Sequence, residues 1–463
     1  MALAAVHAYA AEHRDHFIDV LRQLIRQPSV SSQNRGVREC ADLIVRHMRA
    51  IGIDARTLDT EGHPVVFGEL RAARDGAPTL LIYNHYDVQP EEPIEQWRHP
   101  PFAAEIEGDR IIGRGATDAK GNLVCHLAAA AAFVNTADGP PINLKFLFDG
   151  EEESGSPSLP AFVDAHRELL RCHFTLSFDG GFDPSDRPTI TLGSSGLLYV
   201  HLDCQGGTKD LHSARARLVP NPAWRIVWAL GTLKGADERI AIDGFYDDVL
   251  PPDGDERRLL DEYAWDNAAQ SAHLGVDRFL TGVTGTAALE RLLFQPTCNI
   301  AGFRAGYAGE GTQTVLPHQA RAHLDFRLVW RQDPGDILGK LERHLAHHGY
   351  GDVRVTPKSM IEPSRAPVRS RVSLAVVETA RATYAPAAPL VKPRSEASGR
   401  QACWLGARLG VAGVATGVGP PDWLGHAPNE FMTIPHFTNG IHYAINIWSR
   451  LEGAAGPDAA VIP

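Results

Sequence analysis

The sequence predicts an α/β fold in which a doubly wound, mostly parallel sheet is interrupted by an inserted α+β domain with an antiparallel sheet. Three short apolar runs, at residues 79–84, 144–148 and 174–178, indicate buried parallel strands. After residue 193 apolar and polar residues alternate, which is typical of half-exposed antiparallel strands. From residue 373 the first pattern returns, so the middle segment interrupts one larger domain.

The three apolar runs are each followed by acidic residues. His85-Tyr86-Asp87 follows the first run, Glu151-Glu152-Glu153 closely follows the second, and Asp179 follows the third. In open α/β sheets, ligands bind at the carboxyl ends of the strands, so we expect these side chains to meet at one edge. Histidine, aspartate and glutamate are common metal ligands, and the sequence therefore predicts a metal site there.

The chain length of 463 residues favours two domains. Gly193-Ser194-Ser195-Gly196 predicts a hinge, and we expect residues 1–193 and 366–463 to form one discontinuous domain around an inserted domain of residues 194–365. The strands of the inserted domain are predicted over residues 197–204 and 321–328. Helices are predicted over residues 2–26, 123–134, 220–234, 337–347 and 441–451.

Composition is typical of a soluble globular protein, with 44% hydrophobic and 22% charged residues. The net charge of −11 argues against binding to nucleic acid or to an anionic membrane. Residues 2–26 suit an amphipathic helix rather than a signal peptide, and the six cysteines are scattered without a CxxC pair. We therefore expect a cytoplasmic location and reduced thiols.

Individual motifs allow simpler interpretations. In a strand, His85 and Asp87 point the same way, so the carboxylate could orient a metal-binding histidine, although such pairs are common on surfaces. Asp118 lies in a glycine-rich loop and could bridge two cations, or simply cap the following helix. His426 is one of 21 histidines, and a single histidine is more often structural.

The glutamate triplet is the most specific local signal. Three adjacent acids at the end of a buried strand repel one another unless cations offset their charge. Hydrolysis at a metal needs one carboxylate on the metal and another that accepts a proton from water. Asp118, Asp179 and one glutamate ligand together carry three negative charges, and a metal-bound hydroxide adds a fourth. A single divalent ion would leave the site strongly negative. The sequence therefore predicts two ions.

These motifs resemble the dinuclear metallopeptidase family that includes carnosinases, aminoacylases, glutamate carboxypeptidases and succinyl-diaminopimelate desuccinylase. HxDVxP at residues 85–90, GRGxxDxKG at 113–121, the paired glutamates and HxxNE at 426–430 occur in the family's order. The resemblance implies a catalytic domain and a lid and dimerisation domain. It also implies two divalent ions, Zn²⁺ foremost, with Mn²⁺ or Co²⁺ as alternatives.

The resemblance also implies roles for individual residues. One metal is bound by His85 and Asp179, the other by Glu153 and His426, with Asp118 as the bridge. Asp87 supports His85. Glu152 is the general base, and Glu151 remains an alternative because the triplet allows two registers.

The middle domain is similar to the carnosinase-like branch. The stretch Lys209-Asp210-Leu211-His212-Ser213 resembles the segment whose histidine reaches the partner subunit's active site, which implies a homodimer. By the same resemblance, substrate-binding positions are Thr314, Arg327, Glu396 and Ser398. Two departures weaken the match in substrate recognition: Ala214 replaces a usual glycine, and residues 394–400 only partly resemble the branch's loop.

We therefore expect a metal-dependent hydrolase that cleaves an amide or peptide bond of a small substrate such as a dipeptide. Water activated by two metals would attack the carbonyl, with a glutamate as general base. The first alternative is an N-acyl-amino-acid deacylase with the same centre. The more remote alternatives are a non-catalytic metal-dependent binding protein and a two-metal phosphoesterase, the latter disfavoured because the sequence has no phosphate-binding loop.

Overall fold

The computed structural model describes residues 2–263, 265–399 and 401–453. The helices are α1 (Ala2–Glu12), α2 (Arg14–Arg26), α3 (Val37–Ala50), α4 (Lys120–Thr136), α5 (Leu159–Ala165), α6 (Pro222–Leu233), α7 (Gly254–Glu262), α8 (Asn267–Leu274), α9 (Thr286–Phe294), α10 (Pro334–His347), α11 (Arg371–Thr383), α12 (Gln401–Leu409) and α13 (Ile434–Leu451). Among the described residues, no helix combines the length and the apolar character that crossing a bilayer requires.

The strands are β1 (Asp54–Leu58), β2 (Val65–Leu70), β3 (Thr79–His85), β4 (Glu105–Glu107), β5 (Arg110–Ile112), β6 (Asn143–Asp149), β7 (Phe174–Phe178), β8 (Thr189–Thr191), β9 (Gly193–Ser194), β10 (Gly196–Gln205), β11 (Leu211–His212), β12 (Asn299–Ala305), β13 (Val315–Leu316), β14 (Gln319–Leu328), β15 (Arg354–Ile361), β16 (Ser364–Arg365), β17 (Leu390–Lys392), β18 (Ala412–Thr416) and β19 (Phe431–Thr433).

The chain divides into two compact units. The first comprises Met1–Gly193, Arg365–Pro393 and Gly399–Pro463, and the second comprises Ser194–Ser364 and Arg394–Ser398. The sequence had assigned all of residues 366–463 to the first domain. In the structure Arg394–Ser398 lies in the second unit, where Ser195 donates from its backbone N–H to the Ser395 carbonyl and Arg327 donates to the Ser398 hydroxyl, and Arg365 lies in the first.

In the first unit, the described strands form an eight-stranded sheet in the order β1-β2-β6-β3-β7-β18-β8-β17. The central neighbours β6, β3, β7 and β18 are parallel, as predicted, and so are β8 and β17. The sheet is nevertheless mixed, since β1–β2, β2–β6 and β18–β8 are antiparallel. β1 and β2 are joined by only a short connection, which permits antiparallel pairing but not a parallel crossover.

The register of the parallel strands brings their carboxyl ends together. His85 pairs with Asp149, and Phe178 pairs with Thr416. The glutamate triplet and Asp179 therefore leave the sheet at the edge where His85 lies. A separate sheet, β19-β5-β4, pairs Phe431 with Ile112, which places Glu430 beside the glycine-rich loop.

The predicted helices are present, with differences in extent. The helices predicted over residues 337–347 and 441–451 begin earlier, at Pro334 and Ile434. The predicted helix over residues 2–26 is two helices, because the backbone of His13 leaves the helical region. The predicted helix over residues 123–134 begins earlier, at Lys120, and its Ala-rich sequence is buried on all sides. The Lys120 amino group is buried and donates hydrogen bonds to the Leu24 and Gln27 carbonyls, which ties the start of α4 to the end of α2.

The second unit contains the predicted antiparallel sheet, in the order β12-β14-β10-β15. Apolar side chains alternate along β10 and β14, and α6 and α10 cover the apolar face. This alternation is what a sheet with one buried face requires. Helices α7, α8 and α9 follow one another between α6 and β12.

Candidate metal centre

Two groups of potential metal ligands lie beyond the carboxyl ends of β3, β6 and β7 and share Asp118. The first group is His85, Asp118 and Asp179, and the second is Asp118, Glu153 and His426. Within each group the ligand atoms lie within 4.8 Å of one another. Asp118 faces one histidine with each oxygen, 3.0 Å from His85 Nε2 and 3.2 Å from His426 Nε2. The structure thus brings together the five residues predicted as ligands.

Asp87 is fully buried and connects the two groups. Its Oδ1 lies 3.4 Å from His85 Nδ1, and its carbonyl oxygen lies 3.1 Å from the same nitrogen. The two carboxylate oxygens also accept the backbone N–H groups of Glu152 and Glu153, each at 3.1 Å. One carboxylate therefore orients a histidine of the first group and holds the turn that carries a glutamate of the second.

The loop that carries Asp118 is held by Glu430, a residue to which the sequence analysis gave no role. Glu430 is fully buried, and its carboxylate accepts hydrogen bonds from the backbone N–H groups of Gly115, Thr117 and Asp118 and from Arg114 Nη1. Arg114 and Glu430 stand inside the GRGxxDxKG and HxxNE motifs, so the signal was present. The hydrogen bond between them joins residues 316 positions apart, so the sequence alone did not predict it.

Asp118 does not cap α4. The N-cap residue of that helix is Ala119, without a side-chain capping bond, and the Asp118–Ala119 peptide is cis. Gly115 has a φ of 88°, in the region that favours glycine, and a Cβ there would lie 2.8 Å from the Val88 side chain. The tight loop thus directs the Asp118 carboxylate toward the histidines rather than toward its own helix.

The three adjacent glutamates have different neighbours. Glu151 is buried, and its two oxygens accept the backbone N–H groups of His63 and Ser158. Glu153 belongs to the second ligand group, and its Oε2 accepts a hydrogen bond from Gln89 at 2.8 Å. Glu152 belongs to neither group, although its charge interacts with His85, Asp179, Asp118 and Glu153. Of the three glutamates, Glu152 is therefore the one that lies near the ligand groups without belonging to either of them.

The protonation of the cluster reflects crowded negative charge. Burial, with further repulsion from Asp179, Asp118 and Glu153, raises the pKa of Glu152 to about 8. Burial and repulsion from Asp118 raise the pKa of Glu153 to about 7. The hydrogen bond with Asp118 raises the pKa of His426 to about 9. For Asp118, burial is outweighed by hydrogen bonds with His426 and His85, and its pKa is lowered.

The donor set fits two divalent cations. Carboxylate oxygens and imidazole nitrogens suit ions such as Zn²⁺, Mn²⁺ and Co²⁺, and the carboxylate that both groups share could serve an ion in each. Positive charge would also relieve the repulsion that raises the pKa values of Glu152 and Glu153. His426 is 56% exposed on its side chain, so this face of the cluster is open to solvent.

The remaining predicted residues lie in the second unit. His212 is exposed in β11, and its Nδ1 accepts the N–H of Ala214 at 3.1 Å. The Thr314 carbonyl accepts the N–H of Ser213, so Thr314 is close to His212. Arg327 Nη1 donates to Ser398 Oγ at 3.1 Å, while Glu396 is exposed. In this unit the structure therefore joins Arg327 to Ser398 by a hydrogen bond and places Thr314 next to Val315, the strand partner of His212.

Comparison with known proteins agrees with the motifs. The sequence pattern of Peptidase family M20/M25/M40 matches residues 81–450. The Beta-Ala-His dipeptidase of Rattus norvegicus is 25% identical over 363 residues, which cover 74% of this chain and 73% of the relative. The Cys-Gly metallodipeptidase DUG1 of Candida albicans is 29% identical over 338 residues, covering 69% of this chain and 70% of the relative.

Solved structures are similar over almost the whole chain. The M20 family metallo-carboxypeptidase Sso-CP2 from Sulfolobus solfataricus has a TM-score of 0.85 and 35% identity, covering 94% of this chain and 99% of that chain. Human carnosine dipeptidase 1 has a TM-score of 0.74 at 22% identity, covering 98% and 99%, which supports the fold alone. The resemblance inferred from the motifs is confirmed, and the chain belongs to Peptidase family M20/M25/M40.

Proposed function

We propose that the protein is a two-metal hydrolase that cleaves the peptide bond of a dipeptide or a similarly small amide. The observation that supports this most directly is the pair of ligand groups sharing Asp118, with Glu152 beside them. The similarity to proteins named as Beta-Ala-His and Cys-Gly dipeptidases supports a dipeptide as the substrate.

In this proposal, His85 and Asp179 would hold one ion, Glu153 and His426 would hold the other, and Asp118 would contribute to both sites. We propose Zn²⁺ as the native ion. When bound, the ions polarise the substrate carbonyl and make the attacking water more acidic. Asp87 keeps His85 oriented with Nε2 toward the ion, because Nδ1 faces the Asp87 oxygens.

Glu152 acts as the general base and then as the general acid. Its carboxylate takes a proton from the attacking water and later delivers that proton to the leaving amine. Glu151 is the weaker candidate, because both of its oxygens accept backbone N–H groups. Glu152 accepts a proton only when ionised, a form that neighbouring cations favour.

His212 donates a hydrogen bond to the oxyanion that forms on the substrate carbonyl. Its Nδ1 accepts the Ala214 N–H, so the proton of the neutral ring is on Nε2, which makes that nitrogen the donor. We propose that each chain of a homodimer supplies His212 to the other chain's site.

The homodimer is supported by exposed apolar side chains in the second unit. Trp224 and Trp228 on α6 stack on each other and are more than half exposed. Ile300 and Phe303 are exposed on β12, which is an edge strand. Exposed apolar side chains favour association, and so does a strand edge that no other described strand covers, which a second copy could close symmetrically.

Arg327 and Ser398 are proposed to bind the substrate's carboxylate, with Thr314 and Glu396 as further polar contacts. A guanidinium matches a carboxylate with two parallel hydrogen bonds, and the hydroxyl that it already contacts adds a third donor. The cytoplasmic location expected from the sequence stays a prediction, and the described cysteines form no disulfide with one another.

The proposal is tested by metal analysis together with a substrate panel. The purified protein should contain two equivalents of Zn²⁺ per chain and should hydrolyse unmodified dipeptides faster than matched N-acetyl or N-succinyl amino acids. Faster turnover of the N-acyl compounds would identify a deacylase instead. Activity confined to phosphate esters, or binding without turnover in the metal-loaded protein, would contradict the proposal.

A further inference from the structure

A buried ion pair anchors the segment that leads to Ser398 in the second unit. Arg394 and Glu256 are 3% and 2% exposed, and Arg394 Nη2 lies 3.4 Å from Glu256 Oε1. The guanidinium also lies 4.0 Å from the ring centroid of Phe294. Burying a charge pair costs desolvation energy that the attraction often only balances, so stability alone is a weak reason for this arrangement.

The segment after Arg394 is tied to the sheet and ends at the proposed carboxylate-binding pair. Both the backbone N–H and the hydroxyl of Ser195 donate to the Ser395 carbonyl at 3.1 Å. The Ala397 N–H donates to the Ser395 hydroxyl at 3.2 Å. Ser398 then receives its hydrogen bond from Arg327. Rotation or sliding of the segment at Arg394 would therefore move the Ser398 hydroxyl relative to Arg327.

Glu256 joins this segment to the helices of the middle region. Its Oε2 accepts the backbone N–H of Asp253, and Asp253 Oδ1 accepts the Glu256 N–H, which together form the capping box of α7. Its Oε1 faces Arg394. Phe294 is the last residue of α9. The start of α7 and the end of α9 thus both contact the Arg394 side chain.

We propose that Glu256, Arg394 and Phe294 are positioning residues that set the spacing of Arg327 and Ser398 for the substrate's carboxylate. The inference rests on the proposed function, which assigns that carboxylate to the pair. It gives α7 and α9 a role in substrate recognition through the Arg394 side chain. A small displacement of Arg327 relative to Ser398 would weaken binding of the substrate's carboxylate. It would leave the groups that react at the metal centre unchanged.

The test uses Glu256→Gln in the full-length, metal-loaded protein. Glutamine keeps an acceptor for the Asp253 N–H, so α7 stays capped, but the charge opposite Arg394 is lost. The matched control is Glu290→Gln, which removes the exposed Arg257–Glu290 ion pair between the same two helices. Steady-state kinetics are measured for the fastest dipeptide of the panel and for its C-terminal carboxamide.

We expect Glu256→Gln to raise KM for the dipeptide about tenfold or more, with kcat nearly unchanged and KM for the carboxamide unaffected. Glu290→Gln should leave both KM values at the wild-type level. An unchanged ratio of dipeptide to carboxamide KM in Glu256→Gln would overturn the inference while leaving the hydrolase assignment intact.

Hydrogen exchange gives a second readout that does not depend on turnover. Amides of residues 395–398 should exchange faster in Glu256→Gln than in Glu290→Gln. If the wild-type protein hydrolyses no dipeptide, the proposed function fails, and this comparison still decides whether the ion pair holds residues 395–398 in place. Equal exchange in the two variants would show that the ion pair does not hold the segment.

Discussion

Glu151 and Glu152 are adjacent, yet the Glu151 carboxylate accepts two backbone N–H groups, whereas that of Glu152 interacts electrostatically with the ligand residues. One substitution at each therefore separates catalysis from stability. We expect Glu152→Gln to lower kcat by about 100- to 10,000-fold, because a primary amide cannot accept the proton of the attacking water. The metal content should stay at the wild-type level, since Glu152 belongs to neither ligand group. Steady-state kinetics with metal analysis of the same sample measure both quantities.

Glu151→Gln is the matched control. An amide nitrogen would face one of the two backbone N–H groups that Glu151 now accepts, so we expect a loss of about 1–3 kcal/mol in the free energy of unfolding with kcat unchanged. Denaturant unfolding measures the loss. Full activity in Glu152→Gln, or inactivity in a folded Glu151→Gln, would reverse the assignment of the base.

At the scale of residues, the sequence predicted the ligands better than their supports. His85, Asp118, Glu153, Asp179 and His426 stand in recognisable motifs, and the structure brings them together. Glu430 acts on Asp118 from more than 300 positions away, through backbone N–H groups. Backbone donors have no signature in side-chain patterns, so this support became visible only when the two segments were seen side by side.

At the scale of elements, Asp87 couples the segment after β3 to the turn after β6. We expect Asp87→Asn to weaken metal binding about 10- to 100-fold. The amide NH₂ of the new side chain would face the N–H of Glu152 or Glu153, with which it cannot form a hydrogen bond, and residue 87 would orient His85 less firmly. Both ligand groups contain a residue that Asp87 positions, so binding of both ions should weaken. Metal titration of the chelator-treated protein measures this.

Asp149→Asn provides the comparison at the end of β6. Asp149 is also buried and accepts hydrogen bonds from Tyr83, Ser156 and the Glu151 N–H, but it belongs to neither ligand group. Its substitution should lower the free energy of unfolding and leave metal affinity close to the wild-type value. Equal losses of metal affinity in the two variants would show that the effect of Asp87 is general destabilisation.

Elements with strong periodicity were predicted well, and pairing was predicted less well. The buried runs of β3, β6 and β7 and the alternation of β10 and β14 follow from the need to bury one or both faces. The antiparallel pairs β1–β2 and β18–β8 depend on chain direction and connection length, which hydrophobic pattern does not encode. The placement of Arg394–Ser398 in the second unit depends on contacts with Ser195 and Arg327, which are distant in sequence and have no local signal.

At the scale of the whole molecule, the proposed exchange of His212 between subunits predicts complementation of two inactive variants. A mixture of His212→Ala and Glu152→Gln subunits forms hybrid dimers in which one site has both groups intact. After subunit exchange, we expect about a quarter of the wild-type activity, because half of the dimers are hybrid and each has one working site. Each variant alone should remain inactive.

The surface of α6 supplies the control for complementation. Adding Trp224→Glu and Trp228→Glu to both variants should place charge in the proposed interface, give a mass of one chain by light scattering, and abolish the recovered activity. If His212 acts within its own chain, every hybrid site lacks one group and mixing restores nothing. That result would retain the hydrolase and reject the exchange.

The stability of the ion-free protein should fall as pH rises. The pKa values of Glu152, Glu153 and His426 are raised to about 8, 7 and 9 in the folded chain, so the folded state holds these protons to higher pH than the unfolded state. Stability then decreases as pH rises from about 4.5, the ordinary glutamate value, toward 9. The pKa of Asp118 is lowered in the folded chain, so Asp118 stabilises the fold at pH values above its ordinary pKa of 3.8. This contribution is already complete at about pH 4.5 and stays constant as the pH rises further.

Thermal unfolding of the chelator-treated protein at pH 5.5 and 8.5 measures this dependence. We expect a lower Tm at pH 8.5, a smaller pH difference in Glu152→Gln, and a rise in Tm on adding Zn²⁺ that is larger at pH 8.5 than at pH 5.5, because ligands must lose protons to bind the ion. Calorimetry of Zn²⁺ binding at pH 7 in two buffers of different ionisation enthalpy gives an independent measure of the number of protons that the ligands release. A Zn²⁺ effect that is independent of pH would mean that the crowded acids are already ionised without metal.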